Sequence, residues 1–460
     1  MKALLIAYDN ESFIHYFPQG LAYIAAVLER NDVKVDIYSQ DLHHWPDAHL
    51  TKYLDDNEYD MVGVSVIGGY YQYRKLMSIS KAINLSKNRH KFKYIIGGHG
   101  PTPDPTYFLL KTQADIVVMG EGEETIENIL YATKLSIING IAYRDGDNVI
   151  INPRRPLIDD VDIIKWPAYH LFPMQYYRLF RMPHCSPNDF VMSVLSARGC
   201  VFKCNFCYRM DEGYRARDSN SVIEEVKFLI KVYGITYIMF SDELTMGSVE
   251  RTESICNSIL KEGLNIKWCC PGRLNFAKPD LLKLMKKAGC VFVNYGIESM
   301  NDNILRDMNK SLTVNQIIKG VEATIAAGIS PGLNILFGHI GDNIVTLGDN
   351  VAFLLKYADT SQLRTIRPVT PYPGSALFDY AVENGSIKDV ADFYENLHIN
   401  SDLASVQFSN MDNDSFHDAL YKANANLIQP HYDKVVNSVL GQAYNMYYKN
   451  DASFRGFRQS

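Results

Sequence analysis

The sequence predicts an α/β protein. A Rossmann-like, doubly wound parallel sheet is expected over residues 1–140, a connector over 141–189, a partial (β/α)6 barrel over 190–385 and a small helical region over 386–460. Three observations carry this expectation. Strand-like runs alternate with amphipathic helical stretches in two separate series, the pattern that builds parallel sheets. The strands read as nearly unbroken apolar runs, as strands covered on both faces do. Between the series lies a stretch with prolines at 153, 156, 167, 173, 183 and 187 and little periodicity, which reads as a connector.

The first series opens with the strand "KALLIAY" and a helix, "GLAYIAAVLERN", whose apolar stripe is Leu21, Ile24, Ala25 and Leu28. "KVDIYS" and "YDMVGVSVI" follow as strands, then a helical stretch near 73–86, the strand "KYIIGG", and "ADIVVMGEGEE" ahead of a helix from Thr125. Ligands of such sheets sit beyond the carboxyl ends of the strands. Small residues fall there three times over: Ser65 with Gly68 and Gly69, Gly97 with Gly98, and Gly120 with Gly122. The second series runs "DFVMSVLSARGC", "ITYIMFSDE", "NIKWCCPGRLN", "CVFVNYGIES", "ISPGLNILFGHIG" and "QLRTIRPVTPYPG", with helices expected near 219–233, 249–262, 279–288, 313–327 and 344–357. From about 386 the chain turns helical, polar and tyrosine-rich, reads as a cap on the barrel, and ends in a loose tail, "DASFRGFRQS".

Composition narrows the function. Hydrophobic residues make up 47% and charged residues 21%, which specifies a packed globule rather than a disordered chain. A net charge of −6 argues against a polyanion-binding surface over the whole molecule, so no nucleic-acid partner is expected. Apolar runs such as "MVGVSVIGG" are far shorter than a membrane span needs, and "MKALLIAYDN" reads as a strand, not a secretory signal. A cytoplasmic protein is expected, where thiols stay reduced and clustered cysteines point to metal or redox chemistry.

Three of the eight cysteines crowd into "CVFKCNFCYR" as Cys200, Cys204 and Cys207. Zinc sites usually take four ligands, often as two pairs, and no second C-x-x-C pair exists. Cys269 and Cys270 are adjacent in a strand and point to opposite faces, while Cys185, Cys256 and Cys290 read as buried small hydrophobes. The triplet is therefore a three-ligand site, able to hold three irons of a [4Fe–4S] cube and leave the fourth open. The spacing Cys-x3-Cys-x2-Cys, with Phe206 before the last cysteine and the loop placed after a first barrel strand, resembles the signature of the radical S-adenosylmethionine (SAM) superfamily. The resemblance implies that Asp242 or Glu243 in "FSDELTM" meets the SAM amino group. The diglycine often found there is missing, which leaves either residue open. It further implies a SAM-site role for Phe206, for Arg273 in "PGRLN" toward the SAM carboxylate or a substrate anion, and for Glu298 in "YGIES" toward ribose or amino group. "PYPGSALFDYA" resembles a late barrel segment that shapes the floor of the site.

The first series, with "FPQGLAYIAAVLE", "IIGGHGPTPDP" and "DIVVMGEGEET", looks like the cobalamin-binding domain that precedes the barrel in B12-dependent radical SAM enzymes. Ser65, Gly97, Gly98, Gly120, Glu121, Gly122 and Glu123 are the candidates to line a slot for the cofactor, with Tyr70 and Tyr71 covering its lower face. Many cobalamin proteins supply an axial histidine from a D-x-H-x-x-G loop after the first strand. Here Asp41 and His43 follow the second strand, with Pro46 in the glycine position, so no histidine ligand is expected. The resemblance implies a [4Fe–4S] cluster, SAM and cobalamin as cofactors and an electron donor such as flavodoxin or ferredoxin. It also implies a small-molecule substrate of natural-product or cofactor-intermediate type, methylated at an unactivated carbon after hydrogen-atom abstraction. The alternative is ring closure or oxidation with the same cofactors. A cobalamin sensor or chaperone without catalysis is disfavoured by the cysteine triplet, since a carrier needs no open-coordinated cluster.

Overall fold

The computed structural model describes residues 1–453 apart from Asp211 and Thr360; the rest of the expected tail, 454–460, lies outside the described residues. The first sheet has strands β1 (Lys2–Ala7), β2 (Lys34–Ser39), β3 (Met61–Ser65), β4 (Lys93–Gly97), β5 (Ile116–Val118), β6 (Ile141–Asp145) and β7 (Asn148–Ile151), in the order β2-β1-β3-β4-β5-β6-β7. β1 to β5 are parallel. The strand order reverses direction at β1, so the crevice beside β1 and β3 is the topological switch point where ligands settle.

The expected connector begins later than residue 141. Ile141–Ile151 is a hairpin that adds β6 and β7 antiparallel to the sheet. The signal was Asp145-Gly146 between two β-prone runs: Gly146 takes φ +61°, which a tight hairpin turn requires and glycine adopts without strain.

A second sheet contains β8 (Val191–Val194), β11 (Tyr237–Phe240), β12 (Lys267–Gly272), β13 (Cys290–Glu298), β14 (Ser330–Phe337) and β15 (Ile366–Pro368), all parallel and in sequential order from β8 to β15. β8 and β15 are its two edges, so the barrel is open, as the six-strand pattern predicts. The intervening strands β9 (Ala197–Arg198) and β10 (Arg215–Ala216) pair antiparallel and form the stem of the loop that carries the cysteine triplet.

Aromatic side chains of the connector join the two sheets. Phe17, just before the helix Gln19–Arg30, packs on Tyr169, Phe172 and Tyr177, and these rings share one core with barrel residues such as Val194 and Ile238. The C-terminal region divides its contacts. Tyr394 stacks on Tyr73 of the helix Tyr70–Asn84 at 4.7 Å, whereas Phe416, in the helix Asn413–Lys449, stacks on Phe337 at the end of β14. It therefore buttresses both units instead of capping the barrel alone.

Below the stem, Glu225 is fully buried and accepts a hydrogen bond from Tyr169 (2.7 Å) and an ion pair from Arg217. Removing one partner of a buried pair strands the other charge. Glu225→Ala is expected to cost about 3–5 kcal/mol of stability, measured by urea unfolding; a loss within about 0.5 kcal/mol, typical of surface substitutions, contradicts this account.

Candidate active site

Three strand-end loops of the first sheet face the stem of the cysteine loop across a cavity of about 300 Å³. Its inner end is an apolar slot bounded by Leu5, Met61, Gly63 and Ile95 with Ile24. Its mouth is bounded by Leu195, Ala197, Gly199, Met210, Ser241 and Glu243 from the barrel. Ser65, Gly97, Gly98, Gly120, Glu121, Gly122 and Glu123 all line it. Gly98 is required there: it adopts φ +98°, and a Cβ would stand 2.5 Å from the Val66 carbonyl and 2.9 Å from Ser65 Oγ. A second chamber of about 360 Å³ adjoins through Gln19, Gly20, Leu21 and Ser65. A long apolar slot with bare backbone at its rim suits a large cofactor with an inserted tail.

Tyr70 and Tyr71 do not join this lining. The helix Tyr70–Asn84 starts directly after Gly69, which swings its first turn away from the slot. Tyr70 meets His398 edge-on, and Tyr71 donates to the Asp9 carbonyl at 2.7 Å. His43 stacks on Trp45 at 4.0 Å and borders neither cavity. The histidine that does is His99, immediately after Gly97-Gly98; its position at a glycine-marked strand end was the signal available in the sequence. Burial lowers its pKa, so the ring is neutral at neutral pH, and it meets Tyr208 of the cysteine loop edge-on.

The cysteine loop is held from several sides. Asn205 donates its amide to Met308 O and its side chain to Asp307 O, and His339 Nε2 lies 3.2 Å from Asn205 Oδ1. Leu377, in the "PYPGSAL" segment, donates to Asn205 O at 2.9 Å, and Gly374 lies against the Tyr208 ring, so this segment borders the loop as the sequence implied.

The acidic pair divides its labour. Asp242 is buried and accepts from Ser196 N (2.6 Å), Ser196 Oγ (2.5 Å) and Ala197 N (3.0 Å). It fixes the start of the cysteine-loop stem and does not line the cavity. Glu243 lines the cavity. Arg273 follows β12 directly and stands against the cysteine loop. Its guanidinium stacks 3.4 Å from the Phe202 ring centroid, donates to Cys204 Sγ at 3.7 Å and reaches the Lys310 carbonyl. It backs the cysteine loop and does not open into the cavity. Glu298 is buried and binds Lys310 Nζ at 2.8 Å; it adopts φ +69° at a register shift in β13, a left-handed conformation that a non-glycine residue holds only under constraint. The Lys310 ammonium lies 5.8 Å from the Phe206 ring. No local pattern marked Lys310, which comes from a loop after a short helix.

The donor set fits an iron–sulfur cube. Among the described residues, no three Cys, His, Asp or Glu side chains gather closely enough for one metal ion. A cube needs no such gathering, because each thiolate ligates a different iron. Burial pushes the Cys200 thiol pKa up, and Glu243 and Cys204 add to the rise against the lowering effect of Arg273. The thiolate therefore needs a cationic centre to form, which a cluster supplies.

Anaerobic reconstitution is expected to load about four irons on the wild type and none on the Cys200→Ala, Cys204→Ala, Cys207→Ala triple variant. Single replacements of Cys185, Cys256 or Cys290 should leave the iron content unchanged. Iron retained by the triple variant, read by a colorimetric assay, overturns the ligand assignment.

Comparison with known proteins agrees with this geometry. The Radical SAM superfamily model matches residues 194–354 and the B12 binding domain model residues 13–130. An uncharacterized methyltransferase of Pyrococcus horikoshii is 31% identical over 401 residues, which cover 84% of this chain and 84% of that protein. The anaerobic magnesium-protoporphyrin IX monomethyl ester cyclase of Rubrivivax gelatinosus is 26% identical over 401 residues, covering 82% of this chain and 68% of that one. In fold, the chain resembles the radical S-adenosylmethionine methyltransferase TsrM from Kitasatospora setae, a structure with cobalamin and a [4Fe–4S] cluster bound, at a TM-score of 0.67 and 16% identity over 83% of this chain and 75% of that one. With both domains matched in order and a relative matched over most of its length, the chain belongs to the cobalamin-dependent radical SAM enzymes, whose cofactors are a [4Fe–4S] cluster, SAM and cobalamin.

Proposed function

We propose that this enzyme is a C-methyltransferase that acts on an unactivated carbon of a small molecule. One observation carries the reading: a single cavity runs from the glycine-lined slot of the first sheet to Glu243 and Gly199 at the cysteine loop. A substrate held between the two would face both cofactors at once. When bound, the cluster and SAM supply a hydrogen-abstracting radical, and cobalamin supplies the methyl group.

In this reading Cys200, Cys204 and Cys207 hold the cluster, and Glu243 receives the SAM amino group. Phe206 and the Glu298–Lys310 pair border the SAM site. Arg273 offsets the negative charge of the thiolates from behind. Ser65, Gly97, Gly98 and the 120–123 turn would take the cobalamin tail. The apolar walls and the covering rings exclude water, which protects a radical from side reactions. The P. horikoshii relative is named a methyltransferase, which supports methyl transfer. The R. gelatinosus relative is named a cyclase, which supports the second reading, ring closure or oxidation with the same cofactors. A low-potential donor such as flavodoxin or ferredoxin would deliver the electron.

Methyl transfer requires two SAM molecules per turnover. Against the true substrate, 5′-deoxyadenosine and S-adenosylhomocysteine should appear in roughly equal amounts, with the product heavier by one methylene unit. Stoichiometric 5′-deoxyadenosine alone, with a product lighter by hydrogen, rejects methylation in favour of cyclisation. Glu243→Ala should abolish both nucleosides' turnover-linked formation while leaving iron content intact.

Electron paramagnetic resonance of the cob(II)alamin-loaded enzyme is expected to show no nitrogen superhyperfine splitting. A nitrogen triplet that disappears in His99→Ala would instead make His99 the axial ligand.

A further inference from the structure

Arg198 and Arg215 are register partners in the β9–β10 stem, directly opposite each other. Like charges in that position repel, and both side chains are only 12% exposed, so water screens them little. A carboxylate that pairs with both comes from the other domain. Glu121, with a side chain 3% exposed, receives Arg198 Nη1 at 2.7 Å and Arg215 Nη1 at 3.0 Å on each oxygen. Glu123 takes the second arm of Arg198. The connector closes the set: Ile158 N donates to Glu121 at 2.7 Å, and Ile158 O accepts from Arg215 at 2.7 Å.

Glu121 thus stands in the turn that lines the slot and grips both strands from which the cysteine loop leaves and returns. Movement of the 120–123 turn on filling the slot pulls on the stem, because Glu121 is buried and cannot leave the two arginines without losing the cations that offset its charge.

We propose that Glu121 is a positioning residue that couples the two cofactor sites, so that cobalamin and the cluster strengthen each other's binding. This rests on the assignment of Cys200, Cys204 and Cys207 to the cluster and of the 120–123 turn to cobalamin. Such coupling is reciprocal and is read as a ratio of affinities.

The experiment titrates hydroxocobalamin by its visible spectrum into cluster-loaded protein and into the cluster-free triple alanine variant. In the otherwise wild-type background the loaded protein is expected to bind at least about fivefold more tightly. Glu121→Gln keeps the shape but removes the charge, and it should bring the ratio to about one while both forms still bind. Arg215→Lys keeps the charge but shortens the reach that lets one terminal nitrogen bind Glu121 and Ile158 together; it should lower the ratio too, and it serves if Glu121→Gln does not fold. A merely structural role would weaken both titrations alike and leave the ratio standing. A ratio of one in the wild type, or an unchanged ratio in the variants, overturns the coupling while the cofactor assignments stand. Iron retained by the triple variant overturns the cluster assignment and the coupling with it.

Discussion

The geometry of the active site depends on one carboxylate between two arginines. Arg198 and Arg215 face each other across a two-strand stem, buried and alike in charge, and Glu121 bridges them. Burial by itself opposes ionisation of Glu121, but hydrogen bonds from Arg215, the Ile158 amide and Arg198 outweigh it and hold the carboxyl below its ordinary pKa. The group therefore stays charged throughout the neutral range. A buried ion cluster of this kind adds little net stability compared with apolar packing. What it adds is register: the donors and acceptors match in one arrangement of the two domains, so the mouth of the slot and the foot of the cysteine loop are set against each other. Other contacts follow from that arrangement, among them Ser241 Oγ donating to Gln19 Oε1 at 2.6 Å and Tyr208 against His99.

The sequence made the local parts of this site legible and left its cross-domain parts hidden. Strand alternation, glycines at strand ends and the cysteine spacing are patterns within a few residues, and each describes a feature that the folded chain retains. Asp242 and Glu243 show the limit. The two residues lie in a bend just after β11, and only the surrounding backbone decides which way each points. Asp242 meets the amides of Ser196 and Ala197, and Glu243 lines the cavity. Tyr70 and Tyr71 fail for a related reason: a loop reading places them over the slot, but the helix begins one residue too early for that. The hairpin at Ile141–Ile151 has a local signal in Asp145-Gly146, but the proline density beyond residue 153 makes the same stretch look like connector.

Arg273 and Lys310 bring the electrostatics of the cysteine loop together. Lys310 already has a carboxylate partner in Glu298, so its charge is largely internal. Arg273 has among its recorded contacts only neutral groups: the Phe202 face, the Asn275 side chain, a carbonyl and the Cys204 sulfur. Its charge is therefore directed at the thiolates. A cation and an N–H donor beside a cluster sulfur favour the more negative, reduced state of an iron–sulfur centre. Glu243 acts in the opposite sense from the cavity side, since its carboxylate disfavours the Cys200 thiolate. A SAM amino group brought to Glu243 would neutralise that carboxylate. The loop would then be most electropositive with the co-substrate in place. Arg273 thus favours reduction whatever the cavity holds, and only Glu243, from the cavity side, would make it depend on the occupant.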